Sequence, residues 1–356
     1  MLHAIVMAGG SGTRFWPASR HQRPKQLLPL AGPRTMIQAT CDRLQSLVAA
    51  ERTHVITARH LVQAIANQLP QLPPENIVGE PCRRDTAPCV GLAAAIVAAD
   101  DPEGVMLVCP ADHVIHDHDA FAKAAHLGQD TLENHPDAII TFGIRPTYPA
   151  ESFGYIESGE AVRESEVLNV QQFREKPDAE TAQSYVRAGT FYWNSGIFMW
   201  RAATILEALG KHEPIMHDHL QTIAASIGTR SFASTLENEF KSIEGKSIDY
   251  AVMERHERVL VIPAPFDWDD VGSWQAVSRL HPTDDVGNVA VGTHVNIDSR
   301  GCIVHGDPDH VIVTIDTEDL IVVQTGDATL VAPKRSEERV REAVAELKRR
   351  GLTERI

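Results

Sequence analysis

The sequence predicts an α/β fold in which helices cover both faces of a mostly parallel, Rossmann-like sheet. Five short apolar runs have the character of buried strands: 4–8, 53–58, 76–79, 104–109 and 138–144. The segments between them show helical periodicity near 35–48, 59–68, 86–99 and 118–134. Because strands and helices alternate, we expect parallel pairing, with ligands bound beyond the carboxyl ends of the strands.

The composition excludes several classes of partner. With 33 basic and 48 acidic residues, the chain has a net charge of −15, which disfavours nucleic acid and anionic membranes. Its five cysteines form no C-x-x-C pair and lie mostly in apolar stretches, as reduced core residues do. The N-terminus lacks signal-peptide features, and the longest apolar stretch, 91–99, is too short for a bilayer. We therefore expect a soluble, cytoplasmic protein.

The first predicted strand leads into a glycine-rich, basic loop, AIVMAGGSGTRFWPASRHQRPKQ (4–26). A P-loop is excluded because the first lysine, Lys25, does not adjoin the glycines, and a dinucleotide-binding turn is excluded because Phe15 replaces its third glycine. Glycines still allow backbone N–H groups to approach an anion, and four cations follow closely: Arg14, Arg20, Arg23 and Lys25. The loop therefore predicts an anion site; the alternative is a turn with solvated charges.

A second strand end delivers a carboxylate. Asp112 follows the buried run 105–109, and a carboxylate opposite phosphate-binding cations is suited to a magnesium ion between them. Several residues nearby could suggest a zinc site: His113, His116, Asp117, His118 and Asp119. Their mixed spacing and the lack of a cysteine favour the simpler hypothesis, in which Asp117 or Asp119 caps a helix beginning near Phe121.

Eight motifs occur along the chain in a fixed order: GGSGTRFWPASRHQRPKQ, EPCRRDTAP (80–88), PADHV (110–114), FGYI (153–156), FREKP (173–177), WNSGIF (193–198), SIDYAVME (247–254) and WDDVGSW (268–274). As an ordered set they resemble the sugar-1-phosphate nucleotidylyltransferases, and most closely the mannose-1-phosphate guanylyltransferases. The resemblance covers residues 1–280 densely and the tail more loosely. It implies the short form of the family, without the isomerase domain of the long form.

The resemblance implies transfer of GMP from GTP to α-D-mannose 1-phosphate, with release of pyrophosphate and with Mg²⁺ as cofactor. The attacking phosphate oxygen is already an anion near neutral pH, so no general base is needed. Such a site must supply in-line positioning, charge neutralisation and a metal. The resemblance assigns these tasks to Arg14, Lys25, Asp112 and Asp270, with Asp112 and Asp270 as the metal ligands.

The resemblance also assigns the substrate contacts. The nucleotide-binding residues are Ala8, Gly9, Gly10, Gly12, Glu80, Arg84 and Thr86. The sugar-phosphate site comprises Gly154, Glu175, Lys176 and Asn194, in which Glu175 would bind sugar hydroxyls and Lys176 the phosphate. Taken alone, the E-K-P sequence also fits an exposed strand end. Asp85 departs from the family, which often has asparagine there; we expect it to pair with Arg83 or Arg84, and contact with guanine is the alternative.

The C-terminal part of the chain differs from the rest in its residue pattern. Residues 288–333 contain short β-branched runs broken by Gly and Asp turns, which predict a small β-domain; the resemblance implies a short left-handed β-helix. Ser336 is predicted to cap a terminal helix with Val340, Val344 and Leu347 on one face. That face must pack on the β-domain or on a second subunit, and we expect a homodimer. The expected division is a catalytic domain of residues 1–280 and a β-domain with helix of residues 281–356.

The sequence also allows functions other than the transfer of GMP to mannose 1-phosphate. The enzyme could act on another sugar phosphate, such as heptose 1-phosphate, or transfer another nucleotide, such as deoxythymidylate. A non-catalytic, sugar-nucleotide-binding regulatory subunit belongs to a different class. It would not need the charged residues that phosphoryl transfer requires, yet these are all present.

Overall fold

The computed structural model describes residues 1–162 and 165–356, which form two compact units. The first comprises Met1–Gly9, Thr40–Ala111 and Ile115–Trp268, and the second comprises Gly10–Ala39, Asp112–Val114 and Asp269–Ile356. The division at residue 280 stays a prediction. No helix in the described part of the chain is long and apolar enough to cross a bilayer.

The first unit contains a large sheet built from β1 (Leu2–Ala8), β2 (Thr53–Ala58), β3 (Ile77–Glu80), β4 (Val105–Pro110), β5 (Ile139–Ile144), β6 (Tyr155–Ala161), β7 (Leu168–Arg174), β8 (Phe191–Arg201) and β9 (Val259–Pro263). The order of the described strands is β3-β2-β1-β4-β8-β5-β9-β7-β6. Each predicted strand is present within one or two residues of its predicted bounds. The α/β class is therefore confirmed.

The strands of this sheet run in mixed directions. Strands β1 to β4 pair in parallel, as do β5 and β9. The long strand β8 is antiparallel to both β4 and β5, and β6 and β7 form an antiparallel pair. The prediction of parallel pairing thus holds for the first half of the sheet and fails around β8, because an apolar run does not reveal the direction of its strand.

Helix α1 (Met36–Leu44) begins in the second unit and ends in the first. The other helices of the first unit are α2 (Val62–Gln68), α3 (Thr86–Asp100), α4 (His118–Asn134), α5 (Ala179–Ala188), α6 (Ala202–His212), α7 (Pro214–Ser226) and α8 (Phe232–Ser242). On β8, Phe198 and Trp200 share a core with α3 and α6 to α8, whereas Met199 contacts Gly128 of α4. Since alternate residues of a strand face opposite sides, helices cover both faces of the sheet, as predicted. The Asp117 carboxylate accepts from the Ala120 amide and caps α4, which confirms that prediction.

The second unit contains β10 (Val289–Val291), β11 (Thr293–Ile297), β12 (Ile303–His305), β13 (Val311–Ile315), β14 (Leu320–Thr325) and β15 (Ala328–Pro333). One sheet has the order β10-β12-β14-β15, and β11 pairs with β13 in a second sheet. Successive strands return in parallel at a short spacing, as in a β-helical coil. The small β-domain is confirmed, whereas its left-handed sense stays a prediction.

The second unit also contains the helices α9 (Trp274–Arg279) and α10 (Val340–Arg349). The predicted cap at Ser336 is wrong, because Ser336 lies inside a 3₁₀ turn (Lys334–Arg339) and no side chain caps α10. The tighter turn brings Glu337 onto the amide and side chain of Gln275, a long-range contact absent from the local pattern. The face that carries Val340 packs in the core of its own unit, beside Phe15 and Trp16.

Candidate active site

Lys25 lies at the centre of a charged cluster in the second unit. Its Nζ is 2.8 Å from Oδ2 of Asp112 and donates a hydrogen bond of 2.6 Å to the carbonyl oxygen of Asp270. The residue is only 5% exposed, and its ammonium lies 5.7 Å from the centroid of the Phe15 ring. Three of the four predicted catalytic residues are therefore brought together, although they are distant in sequence.

The glycine-rich loop reaches this arrangement through Gly12. Its φ of +59° belongs to the left-handed region, and a Cβ there would lie 2.6 Å from Cβ and 2.7 Å from the backbone nitrogen of Lys25. The Ser19 hydroxyl donates a hydrogen bond of 2.7 Å to the Gly12 carbonyl. Gly12 is thus required by the packing of the loop on itself. By contrast, a Cβ at Gly10 would meet no described atom within 4 Å.

Three aspartates of the sequence FDWDDVGSW have different surroundings. Asp267 accepts hydrogen bonds from the amides of His116 and Asp117. Asp269 accepts from the Val271 amide and pairs with Arg279. Asp270 instead is followed by Val271 with φ +47° and by Gly272, where a Cβ would lie 3.0 Å from Asp270 Oδ2. The first two carboxylates therefore hold other parts of the chain, whereas the Asp270 carboxylate accepts only from the Gly272 amide, two residues further on.

The carboxyls of Asp112 and Asp270 respond oppositely to their surroundings. Burial, together with the negative charges of Asp269 and Asp112, raises the pKa of Asp270 above its ordinary value, against the effect of Lys25. Burial also acts on Asp112, but the charges of Lys25 and His113 outweigh it and lower the pKa of that carboxyl. The ammonium of Lys25 compensates the two carboxyls only in part. The remaining negative charge favours the binding of a further cation.

The donor set of this cluster fits Mg²⁺, which binds proteins through one or two carboxylates plus substrate phosphates and water. In the part of the chain that the structure describes, no group of three or more His, Cys, Asp or Glu side chains is arranged to hold a metal ion. Asp112 and Asp270 would therefore hold magnesium only together with oxygens of a bound substrate.

Arg14, the fourth predicted catalytic residue, is tied to the tail of the second unit. Its Nε donates to Glu338 Oε2 at 3.0 Å, and its Nη1 lies 3.5 Å from the carbonyl oxygen of Gly272. Trp16, two residues further on, donates from its indole nitrogen to the Arg355 carbonyl at 2.7 Å. Residues after the β-domain thus hold the glycine-rich loop in place.

The predicted nucleotide-binding residues of the first unit lie at strand ends. Ala8 ends β1, Gly9 follows it and Glu80 ends β3, and a Cβ on Gly9 would lie 3.6 Å from Glu80 Oε2. Oε1 of Glu80 is buried and has no hydrogen-bond partner among the described residues. Burial raises the pKa of Glu80 to about 7, although the Cys89 thiol donates to the carboxylate and opposes the shift. A buried acceptor with a vacant oxygen is expected where a ligand supplies the missing donor.

The motif EPCRRDTAP has a structural role that its sequence did not predict. Asp85 has φ +69° and accepts from the Thr86 amide as the N-cap of α3, so its predicted ion pair with Arg83 or Arg84 is wrong. Nη2 of Arg84 donates to the Lys241 carbonyl at 2.5 Å. The Thr86 hydroxyl accepts from the Ile248 amide at 2.8 Å. Arg84 and Thr86 therefore hold the segment 241–248, and their binding of nucleotide stays a prediction.

The predicted sugar-phosphate residues form a second cluster, which lies within the first unit. The backbone N–H of Asn194 donates to the Gly154 carbonyl at 2.8 Å, and a Cβ on Gly154 would lie 2.5 Å from Glu175 Oε2. Lys176, with φ +46° and an exposed side chain, pairs with Glu175 Oε1 at 2.7 Å. The structure thus brings all four residues together.

Asp249 joins this cluster although the sequence assigned it no role. Its Oδ1 accepts from Asn194 Nδ2 at 3.0 Å, and Asp249 opens a π-helical turn, Asp249–Met253. The only signal in the sequence is its position inside the motif SIDYAVME. Short π-helical turns occur frequently at functional sites.

The fold is of the α/β class, and two clusters in it bring cations and carboxylates together, one around Lys25 and one around Glu175. The chain belongs to the nucleotidyl transferase family: the model described as nucleotidyl transferase matches residues 3–285. A second model, the MannoseP isomerase/GMP-like beta-helix domain, matches residues 292–347. The family resemblance predicted from the ordered motifs is therefore confirmed.

Individual relatives match over nearly the whole chain. The mannose-1-phosphate guanylyltransferase of Escherichia coli K12 is 38% identical over 99% of this chain and 75% of its own length. The alginate biosynthesis protein AlgA of Pseudomonas syringae is 38% identical over 98% of this chain and 72% of its own. A crystal structure from Thermus thermophilus, described as mannose-1-phosphate geranyltransferase, aligns with TM-score 0.87 and 37% identity over 98% of this chain and 99% of its own.

Proposed function

We propose that this chain is a mannose-1-phosphate guanylyltransferase, which transfers GMP from GTP to α-D-mannose 1-phosphate and releases pyrophosphate. The observation that carries the proposal is the 38% identity, over 99% of the chain, to the Escherichia coli protein of that name. Two clusters support it: the charged cluster around Lys25, and the sugar-phosphate cluster that contains Glu175 and Lys176. Each provides the charges that one of the two substrates requires.

In this proposal Arg14 and Lys25 neutralise the triphosphate and the departing pyrophosphate. Backbone from Ala8 to Gly12 wraps the nucleotide, and the buried Glu80 carboxylate accepts hydrogen bonds from the base. Guanine suits Glu80, because its N1–H and N2–H donors are adjacent and match the two oxygens of a carboxylate. Arg84 and Thr86 support the nucleotide site through the segment 241–248.

In this proposal Asp112 and Asp270 would hold Mg²⁺ when the substrates are bound. The bound ion would supply charge neutralisation as the two phosphate groups approach. Lys25 pairs with the Asp112 carboxylate and donates to the backbone carbonyl of Asp270, so it holds both segments in place before the substrates arrive. No general base is required, since the attacking oxygen is already ionised.

A substrate panel tests the proposed function directly. GTP, ATP, UTP and dTTP would each be combined with the 1-phosphates of mannose, glucose and a heptose, and pyrophosphate release would be measured. We expect GTP with mannose 1-phosphate to give the highest kcat/KM. A higher value with another sugar or base would replace the assigned substrate, and no turnover with any combination would favour the regulatory-subunit alternative.

Lys176→Ala should raise the KM for mannose 1-phosphate by about 10- to 100-fold while the Kd for GTP stays unchanged. The reason is that Lys176 is the cation of the sugar-phosphate cluster, and a hydrogen bond to a charged group contributes roughly 1.5–3 kcal/mol. Initial rates and GTP titration calorimetry would measure the two effects. Lys123→Ala, which removes an exposed lysine on α4, is the matched control. Weaker GTP binding with an unchanged sugar KM would contradict the assignment.

We also infer that the protein is a cytoplasmic homodimer. The support comes from the sheet β11–β13, whose outer side exposes β-branched side chains: Val295, Ile297, Val311, Val313 and Ile315. Monomeric proteins rarely leave such a contiguous apolar patch uncovered. Light scattering coupled to gel filtration would measure the mass in solution.

A further inference from the structure

Asp249 is held rigidly beside the sugar-phosphate cluster. The amide of Ile248 donates to the Thr86 hydroxyl, and the amide of Tyr250 lies 3.3 Å from the Ser247 hydroxyl. A Cβ on Gly245 would lie 3.0 Å from the Arg84 carbonyl oxygen, so this segment packs closely on the start of α3. The π-helical turn therefore presents Asp249 from a fixed backbone, which is what a recognition group needs.

The side-chain amide of Asn194 is almost fully engaged within the protein. Its Oδ1 accepts from the Thr141 hydroxyl at 3.1 Å and from the Gly196 amide at 3.2 Å. One hydrogen of Nδ2 is donated to Asp249 Oδ1. Since an amide offers two acceptor lone pairs and two donor hydrogens, Asn194 retains one N–H for a ligand. Asp249 retains more acceptor sites, because a carboxylate has about four lone-pair positions and this one accepts from the Asn194 side chain and from the Asp249 backbone amide.

Two carboxyls therefore lie in one cluster with a single ammonium. The charged groups that face Asp249 are Glu175 and Lys176 from the segment after β7, with Tyr250 beside it in the chain. Helix α6 packs against the same turn, and its ionisable residues are Glu207, Lys211 and His212. Burial and the charge of Glu175 raise the pKa of Asp249 to about 7, while Lys176 and Asn194 oppose the shift.

We propose that Asp249 is a second hydroxyl acceptor of the sugar site: Glu175 and Asp249 bind different hydroxyls of one pyranose ring, and Asp249 determines which epimer is accepted. The inference rests on the proposed function, in which the cluster binds a sugar 1-phosphate. Hydrogen bonds to a sugar hydroxyl give strong discrimination, because an analogue that lacks the hydroxyl leaves a buried acceptor unpaired.

Thermodynamic cycles with deoxy sugars provide the test. Asp249→Asn keeps the size of the side chain and an oxygen for Asn194, but replaces Oδ2 by a donor. The kcat/KM of the wild type and of this variant would be compared for mannose 1-phosphate and its 2-, 3-, 4- and 6-deoxy analogues, at saturating GTP. We expect a loss of about 10- to 100-fold on mannose 1-phosphate and little loss on one deoxy analogue, the one that lacks the hydroxyl bound by Asp249. Glu175→Gln should show the same behaviour with a different analogue.

An equal loss on every analogue would overturn the proposal, since a purely structural role of Asp249 cannot distinguish hydroxyls. Unchanged kcat/KM would overturn it too. Should Asp249→Asn fail to fold, Asp249→Ser keeps an acceptor for Asn194 and enters the same cycle. Glu254→Gln, at an exposed carboxylate just after the turn, is the matched control. If the wild type turns over none of the sugar phosphates, the proposed function itself fails, and the inference fails with it.

The pH dependence gives an independent readout. Above about 7 the free carboxyl of Asp249 is ionised, and a charged acceptor binds a hydroxyl more strongly than a neutral one. We expect kcat/KM for mannose 1-phosphate, taken relative to Asp249→Asn at each pH, to rise as pH increases through 7. The ratio cancels the ionisation of the substrate phosphate, which is common to both proteins. A ratio that is flat from pH 6 to 8 would contradict the proposal.

Discussion

Asp270→Asn is expected to lower kcat by about 10³-fold or more and to weaken divalent-metal binding in the presence of GTP. The substitution keeps the shape of the side chain but removes its charge. Asp270 accepts only from the nearby Gly272 amide, whereas Asp267 holds the backbone of residues 116 and 117 and Asp269 pairs with Arg279. Burial raises the pKa of Asp270 while Lys25 opposes the shift, and a metal bound there would favour the ionised carboxylate further.

Two measurements check this prediction. Turnover would be followed as a function of Mg²⁺ concentration, and electron paramagnetic resonance would measure the binding of Mn²⁺ as a probe. Asp267→Asn is the matched control, with a milder expected loss because that side chain accepts from the backbone of residues 116 and 117. A variant that binds Mn²⁺ like the wild type and retains turnover within a few-fold would show that Asp270 is not a ligand.

Lys25→Ala is expected to lower kcat by about 10²- to 10³-fold, the loss typical of removing one preorganised transition-state donor. Its effect on the KM for mannose 1-phosphate should be small. The structure adds a second consequence, since Lys25 compensates the charge of Asp112 and holds the Asp270 carbonyl. Removing a buried partner leaves charge unpaired, so the melting temperature should fall as well.

Lys25→Met removes the ammonium but keeps an unbranched side chain of similar length, so it separates the loss of charge from the loss of side-chain volume. Arg23→Ala, at an exposed cation of the same loop, is the control for charge in general. Steady-state kinetics with both substrates varied and thermal unfolding would be measured on all three variants. Turnover of Lys25→Met near that of the wild type would refute a role of the ammonium in catalysis.

Local patterns in the sequence predicted much of the first unit. The bounds of β2 and α4 match their predicted ranges, and the Asp117 cap was predicted from its residue type and position. Each of these features is decided within a few residues. The direction of β8 and the 3₁₀ turn before α10 were not predictable in that way, because pairing with distant segments decides them.

The sequence likewise predicted some features of the candidate site and not others. The motif order grouped Lys25, Asp112 and Asp270, but no spacing rule shows that Nζ of Lys25 reaches both segments. For Asp85, the residue type suggested a partner that the structure does not show. Its charge suggested an ion pair, whereas the backbone of α3 uses it as a cap, and a positive φ is easier for Asp or Asn than for most residues. Only the folded chain reveals which partner a polar side chain obtains.

The packing of Gly12 bears on how this sequence should be compared across genomes. A side chain at that position would collide with the backbone nitrogen and Cβ of Lys25. Every residue at position 25 has that nitrogen, and every residue except glycine has that Cβ. No compensating change at position 25 relieves the collision, so we expect glycine to be inherited even by descendants that have lost the reaction. A motif search that counts Gly12 as a mark of activity therefore measures common ancestry. Lys25, Asp112 and Asp270 are the positions that would separate active lineages from those that retain only the fold.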